Sequence, residues 1–467
     1  MEIVYALLHP ISEQKDSRFL RPNMPAALLS SYAKKVRPAK DIHTIIDENQ
    51  ISSLTTTEDI ANHISSFNPE IVAFSVYVWN HLETKLVCNL IKNKRPSTKI
   101  VLGGPEVAFE TQNALNNFNA DWICTGEGEI AFTDLLGKLD SDPSFNESID
   151  GMLCSRASNH KHYSKSPAPT VDNLDEIPSP FSDSSLKLSK GSWVDLESMR
   201  GCPFSCSFCM YGKGYGGMRY YSMDRVNADL NSIKAAGVSD AYFLDPTFNL
   251  PKDRCIKICR LINEVNADKS ISFHVEARAE IIDEGMADAF SEANIVSVEV
   301  GLQSSDSDVL KLMSRSLVRD KFVDGCRLLR ERGIRVDIGI IAGLPGDNSE
   351  KLFDTIEFVG SRNLGHISVY PLQLLPGSNY QINADKLGIR YNPHPPYLVT
   401  STNELNASEL SELTLQANEF AEQYNRKYLS IMDVSISMKH KKKKKKTNEN
   451  FRKLKASKVL QRSAIGI

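Results

Sequence analysis

The sequence predicts an α/β fold: a doubly wound parallel sheet, followed by a second run of strand–helix repeats. Three observations carry this. Short apolar runs alternate with helix-length amphipathic segments through residues 1–150, and the alternation resumes at Trp193. Strands that alternate with helices form parallel sheets. Between the two runs lies a stretch rich in Ser, Pro, Asn and Lys, 155–192, in which Ser166-Pro-Ala-Pro169 and Ile177-Pro-Ser-Pro180 cannot propagate a helix. Finally, three cysteines crowd one loop near the head of the second run, Cys202-x₃-Cys206-x₂-Cys209.

A chain of 467 residues is long enough for two or three domains. The predicted organisation is a first domain at 1–150, a linker at 155–192 with its proline-rich part exposed, a second domain at 193–380, a helical and loop cap at 381–438, and a basic tail at 439–467. The composition, 41% hydrophobic and 24% charged, is that of a globular protein. The net charge of −3 conceals an asymmetry. The tail carries 12 Lys and Arg against one Glu, or +11, which leaves −14 for the rest. An acidic body argues against nucleic acid as the principal partner, and the lysine-rich tail reads as a solvated segment. The N-terminus lacks a basic leader and no apolar run reaches membrane-spanning length, so a cytoplasmic protein with no membrane partner is expected. Nine cysteines at irregular spacing fit a reducing compartment.

In the first run, strands are expected at 3–8, 42–46, 71–78, 99–102 and 122–124, with helices at 26–36, 57–66, 82–94, 107–116 and 130–139. Ligands of such sheets sit outside the carboxyl ends of the strands. Ser75-Val-Tyr-Val-Trp-Asn80, Gly103-Gly-Pro-Glu106 and Gly126-Glu-Gly-Glu129 lie there. Glycines at these turns let backbone approach a bulky ligand, although any one of them alone reads as an ordinary tight turn. In the second run, strands are expected at 193–199, 241–244, 272–276, 295–300, 335–341 and 366–370, with helices at 223–236, 251–267, 284–293, 321–332 and 349–362. An amphipathic helix is expected at 405–428.

Cluster iron takes thiolate sulfur, and short spacings let one loop wrap a cluster. Three local thiolates would leave one iron of a [4Fe–4S] cubane open to an outside molecule. On spacing alone, structural zinc, a disulfide or buried cysteines remain open, although no second Cys or His pair lies nearby to complete a zinc site. Cys255 and Cys259, four apart on one helix face, read as buried helix cysteines before a second metal site. Cys88, Cys124, Cys154 and Cys326 are isolated and read as structural.

The triplet, with Phe208 before its last cysteine, resembles the signature of the radical S-adenosylmethionine (SAM) superfamily. The resemblance implies that Cys202, Cys206 and Cys209 hold a [4Fe–4S] cluster and that SAM chelates the fourth iron and is cleaved to a 5′-deoxyadenosyl radical. It also implies that the six strands form a partial (β/α)₆ barrel with its chemistry at the C-terminal mouth. By position, Glu276, Gln303 and Arg315 match the family's polar SAM contacts, Met210 and Gly343 its adenine-side contacts, and Phe208 flanks the cofactor. Asp245 and Asn249 are alternatives facing substrate. The first domain resembles the cobalamin-binding domain that precedes many of these barrels, with Ser75, Gly103 and Gly104 as the matching positions. The family's Asp-x-His-x-x-Gly motif is missing: Asp41-Ile-His43 is followed by Thr-Ile-Ile46, and His9 reads as a loop residue. No histidine on cobalt is therefore expected.

Together these imply a cobalamin-dependent methyltransferase acting on an unactivated carbon of a peptide or small-molecule natural product, fed by an electron donor such as flavodoxin or ferredoxin. A second SAM would remethylate cobalt. The alternatives are a non-methylating cyclisation or rearrangement on the same domains, and a non-catalytic iron–sulfur or cobalamin sensor.

Overall fold

The computed structural model describes residues 1–9, 22–46, 51, 53–109, 111–157, 168–211 and 217–439. The predicted basic tail lies outside them, apart from Lys439. The chain forms two compact units. The first comprises Met1–Asp195, Met199–Gly201 and Met210–Val238; the second comprises Leu196–Ser198, Cys202–Cys209 and the chain from Ser239 onward.

The first unit is built on a six-stranded sheet of β1 (Glu2–Ala6), β2 (Ile42–Ile45), β3 (Ile71–Ser75), β4 (Lys99–Gly103), β5 (Trp122–Cys124) and β6 (Met152–Cys154). Its order is β2-β1-β3-β4-β5-β6. The first five strands are parallel, and β6 runs antiparallel to β5. The sequence reading ended this domain at 150 and missed β6, which is only three residues long.

Side chains alternate between the two faces of each strand. Val4, Ala6, Val72, Phe74, Ile100 and Leu102 pack under helices Thr57–Ser66, His81–Lys94 and Thr111–Phe118. Ile3, Tyr5, Ile71, Ala73, Val101 and Trp122 pack under helices Met24–Val36 and Glu129–Ser141. Both faces are apolar, as a covered parallel sheet requires. The helix starts are locally encoded: Thr56 and Ser222 cap helices Thr57–Ser66 and Met223–Ala236, accepting from the N–H groups of Asp59 and Arg225.

The second half of the predicted linker is packed into this unit, and residues 177–180 are not exposed, whereas Ser166 and Pro167 lie outside the described residues. Ile177 is fully buried. Arg225 donates to the Ile177 carbonyl, Lys35 to the Glu176 carbonyl at 2.6 Å, and Ser179 to buried Asp229 at 2.5 Å. Prolines rule out a helix here, but they do not prevent an extended segment from being pinned by side chains of neighbouring helices.

The second sheet contains β7 (Trp193–Leu196), β10 (Asp240–Phe243), β11 (Ser272–Ala277), β12 (Ile295–Gln303), β13 (Arg335–Ala342) and β14 (His366–Pro371), in the order β14-β13-β12-β11-β10-β7. The strand expected at 193–199 is split. Ser198 breaks it by giving its N–H to Asp245 at 2.8 Å, and β8 (Met199–Arg200) pairs antiparallel with β9 (Arg219–Tyr220) instead. At the other edge, buried Asn425 of the C-terminal helix accepts from the Ile367 N–H at 2.8 Å and donates to its carbonyl at 2.7 Å. An amide side chain thus takes the place of a seventh strand on β14. That helix runs Ala407–Lys439, longer than expected. A short hairpin, β15 (Arg390–Tyr391) with β16 (Val399–Ser401), was not anticipated.

Candidate functional site

At the carboxyl end of the first sheet, Asn80 organises the mouth. Fully buried, it donates to the carbonyls of Leu8 at 3.1 Å and Ser75 at 3.0 Å and accepts from the Tyr77 N–H at 2.8 Å. It thereby ties the loops after β1 and β3 together. Tyr77 stacks on Trp79 at 5.3 Å, and Trp79 on His9 at 5.2 Å. His9, expected as a loop residue, is buried in this stack. Gly104 has φ +104, and a Cβ there would lie 2.4 Å from the Val76 carbonyl oxygen. The glycine is thus required by protein backbone, whereas the sequence reading had it making room for a ligand. Gly103 is different, because a Cβ would meet only the Cys124 Cβ at 3.7 Å. The Gly126-Glu-Gly-Glu129 loop is committed to ion pairs with Arg200 and Arg219.

His43 lies on β2. It is hydrogen-bonded to the Tyr5 hydroxyl at 2.8 Å and stacked on that ring, and burial lowers its pKa to about 4. His81 is paired with Glu106 at 2.7 Å. Small residues, stacked rings and a mouth tied by the Asn80 side chain fit a large cofactor at this rim.

Cys202, Cys206 and Cys209, in the second unit, are part-exposed and outside any disulfide, while the other six cysteines of the chain are buried. Burial pushes the Cys124 thiol up to about 11 and those of Cys88 and Cys326 higher still, as expected of inert structural cysteines. Phe208 points into an apolar cluster with Val309, Leu310, Met313, Leu344 and Tyr380, against which Cys206 and Cys209 pack. The loop is stitched down by Ser207 N–H to the Met313 carbonyl at 2.9 Å and Tyr380 N–H to the Ser207 carbonyl at 3.0 Å. Among the described residues no three side chains stand at single-ion spacing. A cubane spreads its thiolates over separate irons, so this does not count against a cluster.

Arg315 lies beside this loop. One guanidinium nitrogen is 3.7 Å from Cys206 Sγ and another donates to the Gly301 carbonyl. Desolvation lowers its pKa, with a further push from the like charge of Arg278 and an opposing pull from Cys206. Burial raises the Cys202 thiol above its ordinary value. Arg278, at the end of the same strand as Glu276, lies 4.7 Å from the centre of the Phe204 ring of the cysteine loop.

Gln303 ends β12 at φ +67, an uncommon conformation for a side chain of its size. Its amide lies across two in-register strand glycines: a Cβ on Gly301 would be 2.5 Å from Nε2, and one on Gly339 would be 3.7 Å from Oε1. The residue is 3% exposed, and Oε1 has no hydrogen-bond partner. An orphaned buried acceptor over a glycine floor fits a polar ligand carrying hydroxyl or amino groups. Glu276, also buried, accepts from the Tyr242 hydroxyl.

Below it runs a row invisible in one dimension: Glu276, Glu299, Asp337 and His366 are in register across β11–β14, and all are buried. Asp337 is held by Arg335 at 2.6 Å and lies 3.4 Å from His366.

Four of the expected residues have surroundings of their own. Met210 is buried in the first unit. Gly343, at φ +88, packs toward Leu410 of the C-terminal helix, 3.1 Å from where a Cβ would be. Asp245 and Asn249 are corrected from substrate-facing to structural. Asp245 accepts from Ser198, and Asn249 exchanges hydrogen bonds with the Arg278 backbone at 2.9 and 3.0 Å.

A parallel sheet bearing a cysteine loop and a polar inner face, in a chain that begins with a doubly wound sheet, defines a class of two-cofactor α/β proteins. Residues 196–359 match the family model of the radical SAM superfamily, and residues 33–136 that of the B12 binding domain. The chain thus carries a radical SAM domain with a B12 binding domain ahead of it. It is 27% identical over 383 residues to an uncharacterized methyltransferase of Pyrococcus horikoshii, covering 80% of this chain and 81% of that one. It is 24% identical over 421 residues to the cobalamin-dependent radical SAM methyltransferase TokK of Streptomyces tokunonensis, covering 84% of this chain and 60% of TokK. The radical SAM methyltransferase TsrM of Kitasatospora setae, solved with cobalamin and a [4Fe–4S] cluster, shares the fold at TM-score 0.66 and 15% identity, over 88% of this chain and 80% of TsrM. Among the described residues no helix is long and apolar enough to cross a membrane.

Proposed function

We propose that this chain is a cobalamin-dependent radical SAM methyltransferase that transfers a methyl group to an unactivated carbon of a small-molecule or peptide substrate. The observation that carries the reading is one chain pairing a B12 binding domain with a radical SAM domain whose loop presents three part-exposed cysteines, Cys206 beside a cation. When bound, the cluster and SAM supply a carbon-centred radical, and cobalamin supplies the methyl group. The protein's own share is binding, orientation and exclusion of quenchers. Cys202, Cys206 and Cys209 hold the cluster. Arg315 and Gln303 bind the polar parts of SAM, with Glu276 positioned by Tyr242. Ser75 and Gly103 lie under cobalamin, with no imidazole on cobalt. Nine free thiols suit a reducing, cytoplasm-like compartment.

The test is anaerobic reconstitution with iron, sulfide, cobalamin, a low-potential reductant and methyl-labelled SAM. The expected outcome is 5′-deoxyadenosine together with label on cobalamin. Release of 5′-deoxyadenosine with cobalamin unlabelled would redirect the assignment to a non-methylating reaction. Absence of both would leave a sensor.

A further inference from the structure

All the chain between Arg200 and Arg219, including the three cysteines, leaves and returns through a neck of two residue pairs, Met199↔Tyr220 and Arg200↔Arg219. A ladder this short has little stability of its own. The strands leaving it are in contact: Gly201 has φ +95, and a Cβ there would lie 2.4 Å from the Gly217 carbonyl oxygen. The neck also carries a liability, since Arg200 and Arg219 are directly opposed like charges with little solvent exposure.

The Gly126-Glu-Gly-Glu129 loop resolves it. Arg200 donates to Glu127 at 3.1 Å and to Glu129 at 2.7 Å. Arg219 donates to Glu127 through two nitrogens, and one of these also reaches the Val171 carbonyl at 2.6 Å. Both carboxylates are buried, at 7% and 4% exposure. Burial pushes the Glu129 carboxyl up, yet the Arg200 guanidinium outweighs it and holds the group below its usual range. Two carboxylates thus neutralise two guanidiniums, and Glu127 bridges both strands. Deleting one partner of such a set leaves uncompensated buried charge.

We propose that Glu127 and Glu129 are positioning residues that hold shut the neck from which the Cys202–Cys209 loop leaves, so that the base of this loop is fixed before any cluster is assembled. Fixing the base in advance lowers the entropy lost when the thiols are brought to a common site. The part of this inference that concerns the cluster rests on the function proposed above; the part that concerns the neck does not.

The test uses the full chain and two readouts. Without iron, amide exchange at the neck is compared for the parent, Glu127→Gln, Glu127→Asp and Arg219→Lys. After reconstitution, iron per chain and the EPR spectrum of the reduced cluster, with and without SAM, are compared. Glu127→Gln is expected to speed exchange at the neck by roughly ten-fold or more, to lower iron per chain and to broaden the EPR signal. Glu127→Asp is expected to recover part of each loss. Arg219→Lys keeps the charge but loses the fork, and should fall between parent and Glu127→Gln. Parental exchange in the folded Glu127→Gln chain overturns the proposal. If that variant unfolds the first unit, parental exchange in Arg219→Lys overturns it instead. An opened neck with unchanged iron content and EPR spectrum overturns the positioning role. A parent chain that takes up no iron overturns the function proposed above and leaves the neck result standing.

Discussion

The two parallel sheets of this chain use the same backbone pattern in opposite ways. The first is apolar on both faces, with Ile3, Tyr5 and Ala73 under one layer of helices and Val4, Ala6 and Phe74 under the other. Its chemistry can only lie at the rim, in loops such as those tied by Asn80. The second sheet gives one face to its helices through Val275, Val298, Val300 and Val336, and lines the other with Tyr242, Glu276, Glu299, Gln303, Asp337 and His366. Its chemistry lies on the strands themselves. A strand substitution in the first unit is thus a stability experiment, whereas one in the second tests the site.

The sharpest break falls on the cysteine loop. Replacing Cys202, Cys206 and Cys209 together by Ala should abolish iron uptake and 5′-deoxyadenosine formation while cobalamin uptake persists. A triple variant that kept a full cluster would remove the basis for treating the second sheet as a site.

Next come substitutions in the first unit. Leu135→Ala, at a fully buried core position, should cost about 2–5 kcal/mol of stability, with cobalamin bound per folded chain unchanged. At the rim, Gly104→Ala collides with the Val76 backbone and should lower the thermal midpoint. Gly103→Ala has room within the protein, so it should leave the midpoint alone and weaken cobalamin binding by roughly ten-fold, the equivalent of about 1.4 kcal/mol. Equal thermal losses in the two glycine variants would mean the rim is scaffold alone.

Arg315→Lys keeps the charge beside Cys206 but cannot also reach the Gly301 carbonyl in a planar fork. A loss of roughly ten-fold in SAM cleavage at limiting SAM, with the midpoint nearly unchanged, is expected. A large thermal loss instead would blur the contrast between the sheets.

The smallest effect concerns His43. Its folded-state pKa of about 4 lies below its ordinary 6.5, so between these values the unfolded chain binds the extra proton. Stability of the first unit should therefore fall as pH drops from 6.5 toward 4. His43→Ala should flatten that slope and leave the cobalamin spectrum unchanged.

Much of this was legible in one dimension. Helices Thr57–Ser66 and Met223–Ala236 begin and end where they were expected. The cysteine spacing admitted a cluster but left zinc open, and the resemblance to a family signature decided between them. What stayed hidden depends on partners distant in the chain. Arg200 was visible beside Gly201, but its carboxylates lie more than 70 residues upstream. Gly104 was noticed for a real reason that was misattributed, since only the fold brings Val76 against it. Asp245 and Asn249 had the chemistry of substrate contacts, yet backbone N–H groups claimed them.

The row Glu276, Glu299, Asp337 and His366 has a consequence for how the chain reaches its fold. A slip of one residue in any of the pairings β11–β14 would turn an ionisable side chain onto the face where Val275, Val298 and Val336 meet apolar helices. Parallel strands are brought together late and over long stretches of chain, which gives mispairing time to occur. The row therefore proofreads assembly: mispaired barrels are penalised heavily by buried charge, and the sheet that carries the reaction has a single alignment in which it can close its core.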